Sequence, residues 1–200
     1  MAEKLSLTCQ CGSFKLEIFK ISPGTVNRAQ CGCKGCQSFA KFCNRHEKIT
    51  DDFGATDIIQ MSQERLQFIR GKEKLSCIRQ TPRGAIRWYT TCCKTPVGNT
   101  PAMSKIPLIG IISSSLDQAD DPALLESMAG KIKSRVYCGP PARNVGKLEM
   151  AFMVARIVAL ILLWILKGDL KKSPLYDSSV GHNITHPRLL SLTEYRALNP

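Results

Sequence analysis

Seven of the ten cysteines fall into three groups whose spacing could hold a metal ion. The groups are Cys9-x-Cys11, Cys31-x-Cys33-x-x-Cys36 and the adjacent pair Cys92-Cys93. Zinc takes three or four thiolates in tetrahedral geometry, and short turns of this kind deliver two or three sulfurs from one loop. The second group alone offers three ligands, which leaves the fourth zinc position open, as in catalytic sites. The spacing therefore predicts zinc as a cofactor.

The chemistry of the cysteine groups leaves alternatives open. For Cys9 and Cys11 we expect a structural zinc site that the third group closes. For Cys31, Cys33 and Cys36 the competing interpretation is a set of redox-active thiols, which also needs clustered sulfurs. A zinc site and a redox site therefore both remain compatible with this second group.

The remaining three cysteines, Cys43, Cys77 and Cys138, are isolated in sequence and are expected to be small buried core residues. Cys43 also forms a Cys-x-x-His pair with His46, but no matching second pair follows. The chain opens without an apolar stretch behind a basic start, which is atypical of a secreted disulfide protein. We therefore expect reduced thiols and a cytoplasmic protein.

Length, composition and charge exclude several classes of protein. Two hundred residues with 44% apolar side chains can form a core, so a wholly disordered chain is excluded. The net charge of +12 lies mainly in residues 61–116 and 131–172, each with nine basic and two acidic groups. No basic run exceeds two residues and aromatic residues make up 6%, which disfavours a nucleic-acid site. A small anionic substrate or partner suits this basic surface better.

Short alternating segments in the first hundred residues predict β-strands. The predicted strands, separated by turns rich in Gly, Pro, Asn and Cys, are residues 5–8, 14–19, 56–61, 66–70, 75–80 and 85–90. Strands of this length and spacing favour small antiparallel sheets. The predicted fold class is mainly β with an α-rich C-terminal extension, divided into a domain at 1–115 and an extension at 116–200.

Two short helices are predicted in the extension from their caps. Asp121 is the expected N-cap of a helix over residues 123–131, with proline at the first helical position. Ser191 and Glu194 have the spacing of a capping box, which predicts a helix over residues 192–198.

Residues 150–166 form the longest apolar segment, which only Arg156 interrupts. The segment is shorter than the roughly twenty residues that span a bilayer. Glu149, Arg156 and Lys167 fall on one stripe of a helix, so we expect a helix that is exposed to solvent along that stripe and buried elsewhere. It would be a core helix or the interface of a homodimer, with a membrane surface as the alternative.

The order of the three cysteine groups resembles the glutathione-dependent formaldehyde-activating enzyme family, which includes the centromere protein V domain. The matching features are Cys-x-Cys-Gly, then Cys-x-Cys-x-x-Cys followed by Gln37-Ser38-Phe39-Ala40, and later a Cys-x-Thr-Pro sequence. The segments Phe68-Ile69-Arg70-Gly71 and Arg87-Trp88-Tyr89 fit the same plan. The resemblance covers residues 5–100.

The resemblance implies a β-tent fold of small antiparallel sheets with two zinc sites. The structural site would take four sulfurs, from Cys9, Cys11, Cys92 and Cys93. The substrate-facing site would take three sulfurs, from Cys31, Cys33 and Cys36. The implied partner is a small thiol such as glutathione, and the implied reaction condenses it with formaldehyde, a carbon–sulfur lyase activity.

The third cysteine group departs from the family pattern. The family has Cys-x-x-Cys-Gly there, whereas this chain has Thr90 at the first cysteine position when Cys93 is aligned with the second. Two adjacent cysteines can ligate one metal only through a strained turn. One zinc ion or two are therefore both compatible with the sequence.

Two functions follow as alternatives. The first is a carbon–sulfur lyase acting on a thiol–aldehyde adduct, and the second is a non-enzymatic, zinc-stabilised interaction module. For the enzyme, His46 is the histidine nearest in sequence to the metal loop and the candidate acid or base. Arg79, Arg83 and Arg87 are candidates, by location alone, for holding the carboxylates of glutathione.

Overall fold

The computed structural model describes residues 4–136 and 146–199. For Lys147, Glu149 and Met150, which lie at the start of a helix, only the backbone is described. Cys138, which the sequence assigns to the core, lies outside the described residues. All seven cysteines of the three groups lie within them, so their arrangement can be followed in full.

The described residues contain thirteen strands, and the predicted fold class, mainly β, is confirmed. In chain order they are β1 (Leu5–Thr8), β2 (Lys15–Ile18), β3 (Asn27–Cys31), β4 (Thr56–Ser62), β5 (Leu66–Arg70), β6 (Leu75–Arg79), β7 (Ile86–Thr90), β8 (Pro96–Thr100), β9 (Leu108–Ile112), β10 (Ser134–Val136), β11 (Tyr176–Asp177), β12 (His182–Asn183) and β13 (Arg188–Leu189). The six predicted strands correspond to β1, β2, β4, β5, β6 and β7.

Five α-helices accompany the strands in the described part of the chain. They are α1 (Lys34–Phe42), α2 (His46–Ile49), α3 (Pro122–Ala129), α4 (Lys147–Leu166) and α5 (Leu192–Leu198). Both predicted caps are confirmed. The Asp121 carboxylate accepts a hydrogen bond of 2.9 Å from the backbone N–H of Leu124 at the start of α3, and Ser191 and Glu194 form a complete capping box on α5.

The strands form an eight-stranded sheet, a three-stranded sheet and a two-stranded ribbon within the described residues. The large sheet has the order β10-β3-β4-β9-β8-β7-β6-β13, and the small one is β1-β2-β5. Pairing is antiparallel except at the two outermost strands, because β10 runs parallel to β3 and β13 runs parallel to β6. Both outermost strands follow residue 115, so the two predicted segments share one sheet. The boundary at residue 115 itself stays a prediction.

The main core lies between the two larger sheets. The three-stranded sheet contributes Leu7 and Leu16, and the eight-stranded sheet contributes Ile59, Trp88 and other fully buried side chains. A second core lies on the opposite face of the large sheet, beneath α1. Strand alternation explains this division, because adjacent residues of one strand face opposite sides. The first and third cysteine groups therefore lie beside the main core, and the second lies at the start of α1, beside the other core.

Sequence reasoning missed β3, β8, β9 and α1. Strand β8 contains Pro96, Gly98 and Asn99, which favour turns in isolation, but it is held between β7 and β9 by both neighbours. Helix α1 lacks the usual signal because its N-cap is Cys33, whose side chain makes no capping hydrogen bond. Strand pairing therefore outweighed the turn preference of the β8 residues, and α1 begins at the cysteine loop without a capping side chain.

Helix α4 is packed differently from the prediction. Arg156 faces the protein body, where its Nη2 donates to the backbone oxygens of Pro23 at 3.0 Å and Val26 at 2.8 Å. Trp164 is fully buried on the same side, whereas the opposite side of the helix is exposed although it is apolar. The expectation of a helix that is exposed to solvent along the Arg156 stripe and buried on its other sides is therefore wrong. No helix in the described residues is long and apolar enough to cross a membrane.

Candidate metal centres

Four of the predicted ligands converge into one group, the four-sulfur cluster of Cys9, Cys11, Cys92 and Cys93. Their sulfurs lie within 4.8 Å of one another, with Sγ–Sγ distances of 3.5 Å for Cys9 and Cys11, 3.7 Å for Cys9 and Cys92, and 3.8 Å for Cys92 and Cys93. Zinc–sulfur bonds of about 2.3 Å in a tetrahedron place sulfurs about 3.8 Å apart. A disulfide needs about 2.05 Å. The spacing therefore fits a metal ion and not a disulfide.

The Cys9 side of this cluster is built by the tight turn that follows β1. The N–H of Gly12 donates to the Cys9 oxygen at 2.8 Å, and the N–H of Phe14 donates to Cys9 Sγ at 3.2 Å. Gly71, just after β5, has φ +70, and a Cβ there would lie 2.1 Å from the Ser13 oxygen. A glycine is therefore required at position 71, where the backbone after β5 lies directly against the turn that follows Cys9.

The Cys92 side is the turn between β7 and β8. Lys94 has φ +51, in the left-handed region, which matches the strained turn expected for two adjacent cysteines. Thr90 is not needed as a ligand, because four sulfurs already converge. Its Oγ1 instead accepts from the N–H of Thr95 at 3.1 Å and lies 3.6 Å from Cys93 Sγ. Cys92 thus stands two residues after the position at which the resemblance places a cysteine, and its sulfur still reaches the cluster.

Thr95 joins the two sides of the four-sulfur cluster. Its Oγ1 accepts from the N–H of Gln10 at 3.1 Å and lies 3.2 Å from Cys93 Sγ. Although burial opposes it, hydrogen bonds from the hydroxyls of Thr95 and Thr90 lower the pKa of Cys93 to about 5. The turn therefore favours a thiolate, the form that binds metal. Sequence reasoning did not select Thr95, whose only signal is its place two residues after a cysteine.

The other three predicted ligands form the three-sulfur cluster of Cys31, Cys33 and Cys36. Cys31 ends β3, Cys33 is the N-cap of α1, and Cys36 lies in the first turn of that helix. The helix itself sets the spacing, because the N–H of Cys36 donates to the Cys33 oxygen at 2.9 Å. The sulfurs lie within 4.8 Å of one another.

The three-sulfur cluster is open on one side. Cys36 is buried, with 5% of its surface exposed, whereas Cys31 and Cys33 are partly exposed. A tetrahedral ion held by these three sulfurs would have its fourth position free for a ligand from outside. The main difference between the two clusters is therefore the number of sulfurs, because Cys11 and Cys92 of the four-sulfur cluster are exposed as well.

A buried cation faces the three-sulfur cluster. Arg87, on β7, is 7% exposed and donates from Nη1 to Cys36 Sγ at 3.5 Å, while its Cζ lies 5.9 Å from the centre of the Phe39 ring. Hydrogen bonds from the Cys31 and Cys36 thiols, with Arg87 nearby, lower the pKa of Cys33 to about 2 despite burial. One thiolate, on Cys33, is therefore favoured before any metal binds, whereas hydrogen bonding within the cluster and burial raise the pKa values of Cys31 and Cys36.

The other two described cysteines join neither cluster, and the prediction that they are core residues is confirmed. Cys43 and Cys77 are buried in the two cores, and burial raises the pKa of each thiol to about 12. His46 is the first residue of α2 and belongs to neither sulfur group. Arg79 donates to the Pro82 and Ala102 oxygens.

Of the three arginines proposed for glutathione, only Arg87 lies at the three-sulfur cluster, and its guanidinium is already bound to Cys36. Arg83 is exposed on a turn. Next to Arg87 lies Gln80, a buried side chain that no motif singled out. Its Nε2 has no hydrogen-bond partner in the described residues.

Comparison with known proteins places the chain in a family. A model described as a family of unknown function (DUF6151) matches residues 1–183. The chain belongs to this family. The match covers both cysteine clusters and helix α4, but the family's description assigns no activity, so the resemblance to the formaldehyde-activating family stays a prediction.

Two further comparisons add little to the DUF6151 assignment. A crystal structure of a Rhodobacter sphaeroides protein is 19% identical and covers 66% of this chain and 99% of its own, with a TM-score of 0.42. A likeness of this degree carries no argument about function. The comparison with curated proteins gave no match.

Gly35→Ala is expected to weaken metal binding at the three-sulfur cluster alone. A Cβ at this position would lie 2.8 Å from Arg87 Nη2 and 3.2 Å from Gln80 Oε1, so the guanidinium must move away from Cys36. Loss of a group that supports a ligand costs about 10–100-fold in metal affinity. Competition with a chromophoric chelator measures this loss.

Gly24→Ala is the matched control, because a Cβ at Gly24 would meet no atom within 4 Å. Alanine also favours the helix at Gly35 by about 1 kcal/mol, so a loss of affinity there is not a loss of helix stability. Equal affinities in Gly35→Ala and Gly24→Ala would contradict a role of Arg87 in metal binding.

Proposed function

We propose that this DUF6151 protein holds two zinc ions, one structural and one that binds the sulfur of a small thiol such as glutathione. At the second site it would act as a carbon–sulfur lyase on a thiol–aldehyde adduct. The observation that carries the proposal is the difference in sulfur number, since one cluster offers four sulfurs to an ion and the other offers three, which leaves a fourth position free.

The donor sets support zinc as the metal. Both clusters present sulfur alone, and thiolate ligands in a tetrahedron select zinc or iron–sulfur centres over magnesium and calcium. Three of the six Sγ–Sγ distances in the four-sulfur cluster, 3.5–3.8 Å, are close to the edge of a zinc–thiolate tetrahedron, and all six are within 4.8 Å. An iron centre would absorb visible light, so metal analysis and the absorption spectrum distinguish the two.

The charge balance of the three-sulfur cluster suits a thiolate substrate. Three thiolates exceed the two charges of a zinc ion by one, and the buried guanidinium of Arg87 offsets that excess. When bound there, zinc would supply a soft Lewis acid that lowers the pKa of a substrate thiol. The excess of basic residues in 61–116 and 131–172 would attract the carboxylates of glutathione.

The proposed reaction needs no oxidant or reductant. In the condensing direction, a sulfur electron pair forms the bond to the aldehyde carbon, and the carbonyl π pair moves to oxygen. That oxygen takes up one proton, which balances the proton lost by the thiol. In the described residues no histidine or carboxylate joins the cluster, so we assign the proton transfer to water at the open side.

The test combines metal content with exchange kinetics. Purified protein should contain two zinc ions per chain and no chromophore. Two-dimensional exchange NMR with glutathione and formaldehyde should then show faster interconversion of adduct and free thiol than in the protein-free mixture. Purified protein that contains no zinc, and whose thiols can all be titrated with a thiol reagent, would contradict the proposal.

A non-enzymatic zinc module is the alternative, and one observation favours it. Arg87, the one candidate arginine at the three-sulfur cluster, is bound to Cys36 and is buried, so it is not free to hold a substrate carboxylate. For such a module, metal analysis would again find two zinc ions. The adduct would then interconvert only at the spontaneous rate, and this outcome would decide in favour of the module.

A further inference from the structure

Helix α4 exposes an unbroken apolar half. Eight large apolar side chains of this helix are 43–85% exposed: Leu148, Phe152, Val154, Val158, Leu162, Leu163, Ile165 and Leu166. At 100° per residue they fall on one half of the helix, together with three alanines and without a charged residue among the described side chains. They leave on the order of 800 Å² of apolar surface uncovered, more than the roughly 300–600 Å² of the largest patch on a typical monomer.

The other half of α4 holds the helix in place. Trp164 is 2% exposed and Leu160 is 9% exposed, both against the protein body. Arg156 clamps the helix through the Pro23 and Val26 oxygens. Turning the apolar half inward would break these hydrogen bonds and expose the indole. The helix is therefore fixed with its apolar half outward.

Cations border this apolar half. Along one edge, Lys133 Nζ and Arg156 Nη2 both donate to the Pro23 oxygen, at 2.7 Å and 3.0 Å, beside a cavity of about 400 Å³ that Phe152 also lines. Burial and the nearby Arg156 lower the pKa of Lys133. No carboxylate pairs with either cation in the part of the chain whose side chains are described.

The C-terminal end of the helix carries a second cationic group. Lys167, Lys171 and Lys172 are all exposed there. The carboxylate in the same segment, Asp169, is buried and accepts a hydrogen bond of 2.8 Å from Ser62 Oγ. It therefore does not neutralise the lysines at the surface.

We propose that α4 lies in the interface of an anionic lipid bilayer, with its apolar half among the acyl chains and the exposed lysines that border it at the lipid phosphates: Lys133, Lys167, Lys171 and Lys172. A helix of twenty residues is about 30 Å long and can lie in the plane of the interface along its whole apolar half. Apolar surface and clustered lysines are the two features that bind proteins to anionic membranes.

A second copy of the chain fits this face less well. A two-fold pairing of parallel helices places the lysine group at the end of α4 against the same group of the other copy. An antiparallel pairing places it against Lys133 and Arg156. Like charges face each other in both arrangements, which disfavours the pair. An anionic surface complements both groups at once.

Sedimentation with vesicles tests the proposal on the full chain. Protein should bind phosphatidylcholine vesicles that contain phosphatidylserine at least about tenfold more tightly than pure phosphatidylcholine vesicles, and added salt should reduce the difference. The double variant Leu162→Gln Leu166→Gln should bind at least about tenfold more weakly, because it places two amides among acyl chains. Leu192→Gln is the matched control, since Leu192 is an exposed leucine of α5.

A second variant tests the contribution of the lysines independently of the apolar side chains. Lys171→Glu Lys172→Glu should lose at least about tenfold in affinity for the anionic vesicles. Lys41→Glu Lys105→Glu changes the net charge equally at other exposed lysines and should lose much less. Protein that stays in the supernatant with both kinds of vesicle would overturn the proposal. So would a dimer, measured by light scattering, that Leu162→Gln Leu166→Gln dissociates while no vesicle binding is seen.

Discussion

Cys9→Ser is expected to remove one of the two proposed zinc ions and to lower the free energy of unfolding by about 4 kcal/mol or more. Cys9 is 2% exposed and its sulfur accepts the N–H of Phe14, so this ligand lies on the buried side of a cluster in which Cys11 and Cys92 are exposed. The four-sulfur cluster joins the turn after β1 to the turn between β7 and β8, and these belong to different sheets. Losing the ion therefore loosens the contact between the two sheets.

Zinc analysis by mass spectrometry and urea unfolding together measure this effect. Cys77→Ser is the matched control, because Cys77 is a fully buried thiol that belongs to neither cluster. It should lower stability through the buried hydroxyl but retain both zinc ions. Treating the wild-type protein with a strong chelator should lower its stability to that of Cys9→Ser or below. Two zinc ions in Cys9→Ser would contradict the assignment of the structural site.

Cys33→Ser is expected to abolish the accelerated thiol–aldehyde exchange while leaving the fold intact. It removes the middle sulfur of the three-sulfur cluster, so that zinc would keep only Cys31 and Cys36 there. Serine is also a good N-cap, and Cys33 is the N-cap of α1 without a capping hydrogen bond, so the helix loses nothing. The stability should change by less than about 1 kcal/mol.

Exchange NMR, zinc analysis and urea unfolding on Cys33→Ser separate function from folding. The variant should retain one zinc ion and show the spontaneous exchange rate. The destabilised Cys9→Ser protein, measured below its unfolding temperature, should show the reverse pattern of reduced stability with the second zinc retained. Wild-type exchange in Cys33→Ser would assign the reaction, if any, to another part of the molecule.

The strands that could be predicted are those whose local pattern agrees with their final environment. Strands β5 and β6 alternate and lie between clear turns, so their bounds were predicted to within one residue. Strand β3 reads as Asn-Arg-Ala-Gln-Cys, a polar segment, and is a strand because β4 and β10 hydrogen-bond to it on both sides. Pairing between distant segments cannot be inferred from such a pattern.

The residues of the candidate site also divide into those that could be predicted from the sequence and those that could not. The metal-ligating residues could be selected because cysteine spacing within a turn sets which sulfurs can reach one ion. The contact of Arg87 with Cys36 and its close approach to Gly35 could not be predicted, because β7 and α1 are distant in sequence and meet only in the folded chain. The surroundings that tune the sulfurs therefore depend on long-range packing.

Local chemistry alone specified the sulfur ligands, the three groups in which they occur and the mainly β character of the chain. Those properties depend on neighbours within a few residues, where covalent geometry and side-chain alternation act directly. Folding determined that the first and third groups meet in one cluster while the second stays open beside Arg87. It also turned Arg156 inward and left the apolar half of α4 outside, because backbone oxygens of a distant loop bind the guanidinium.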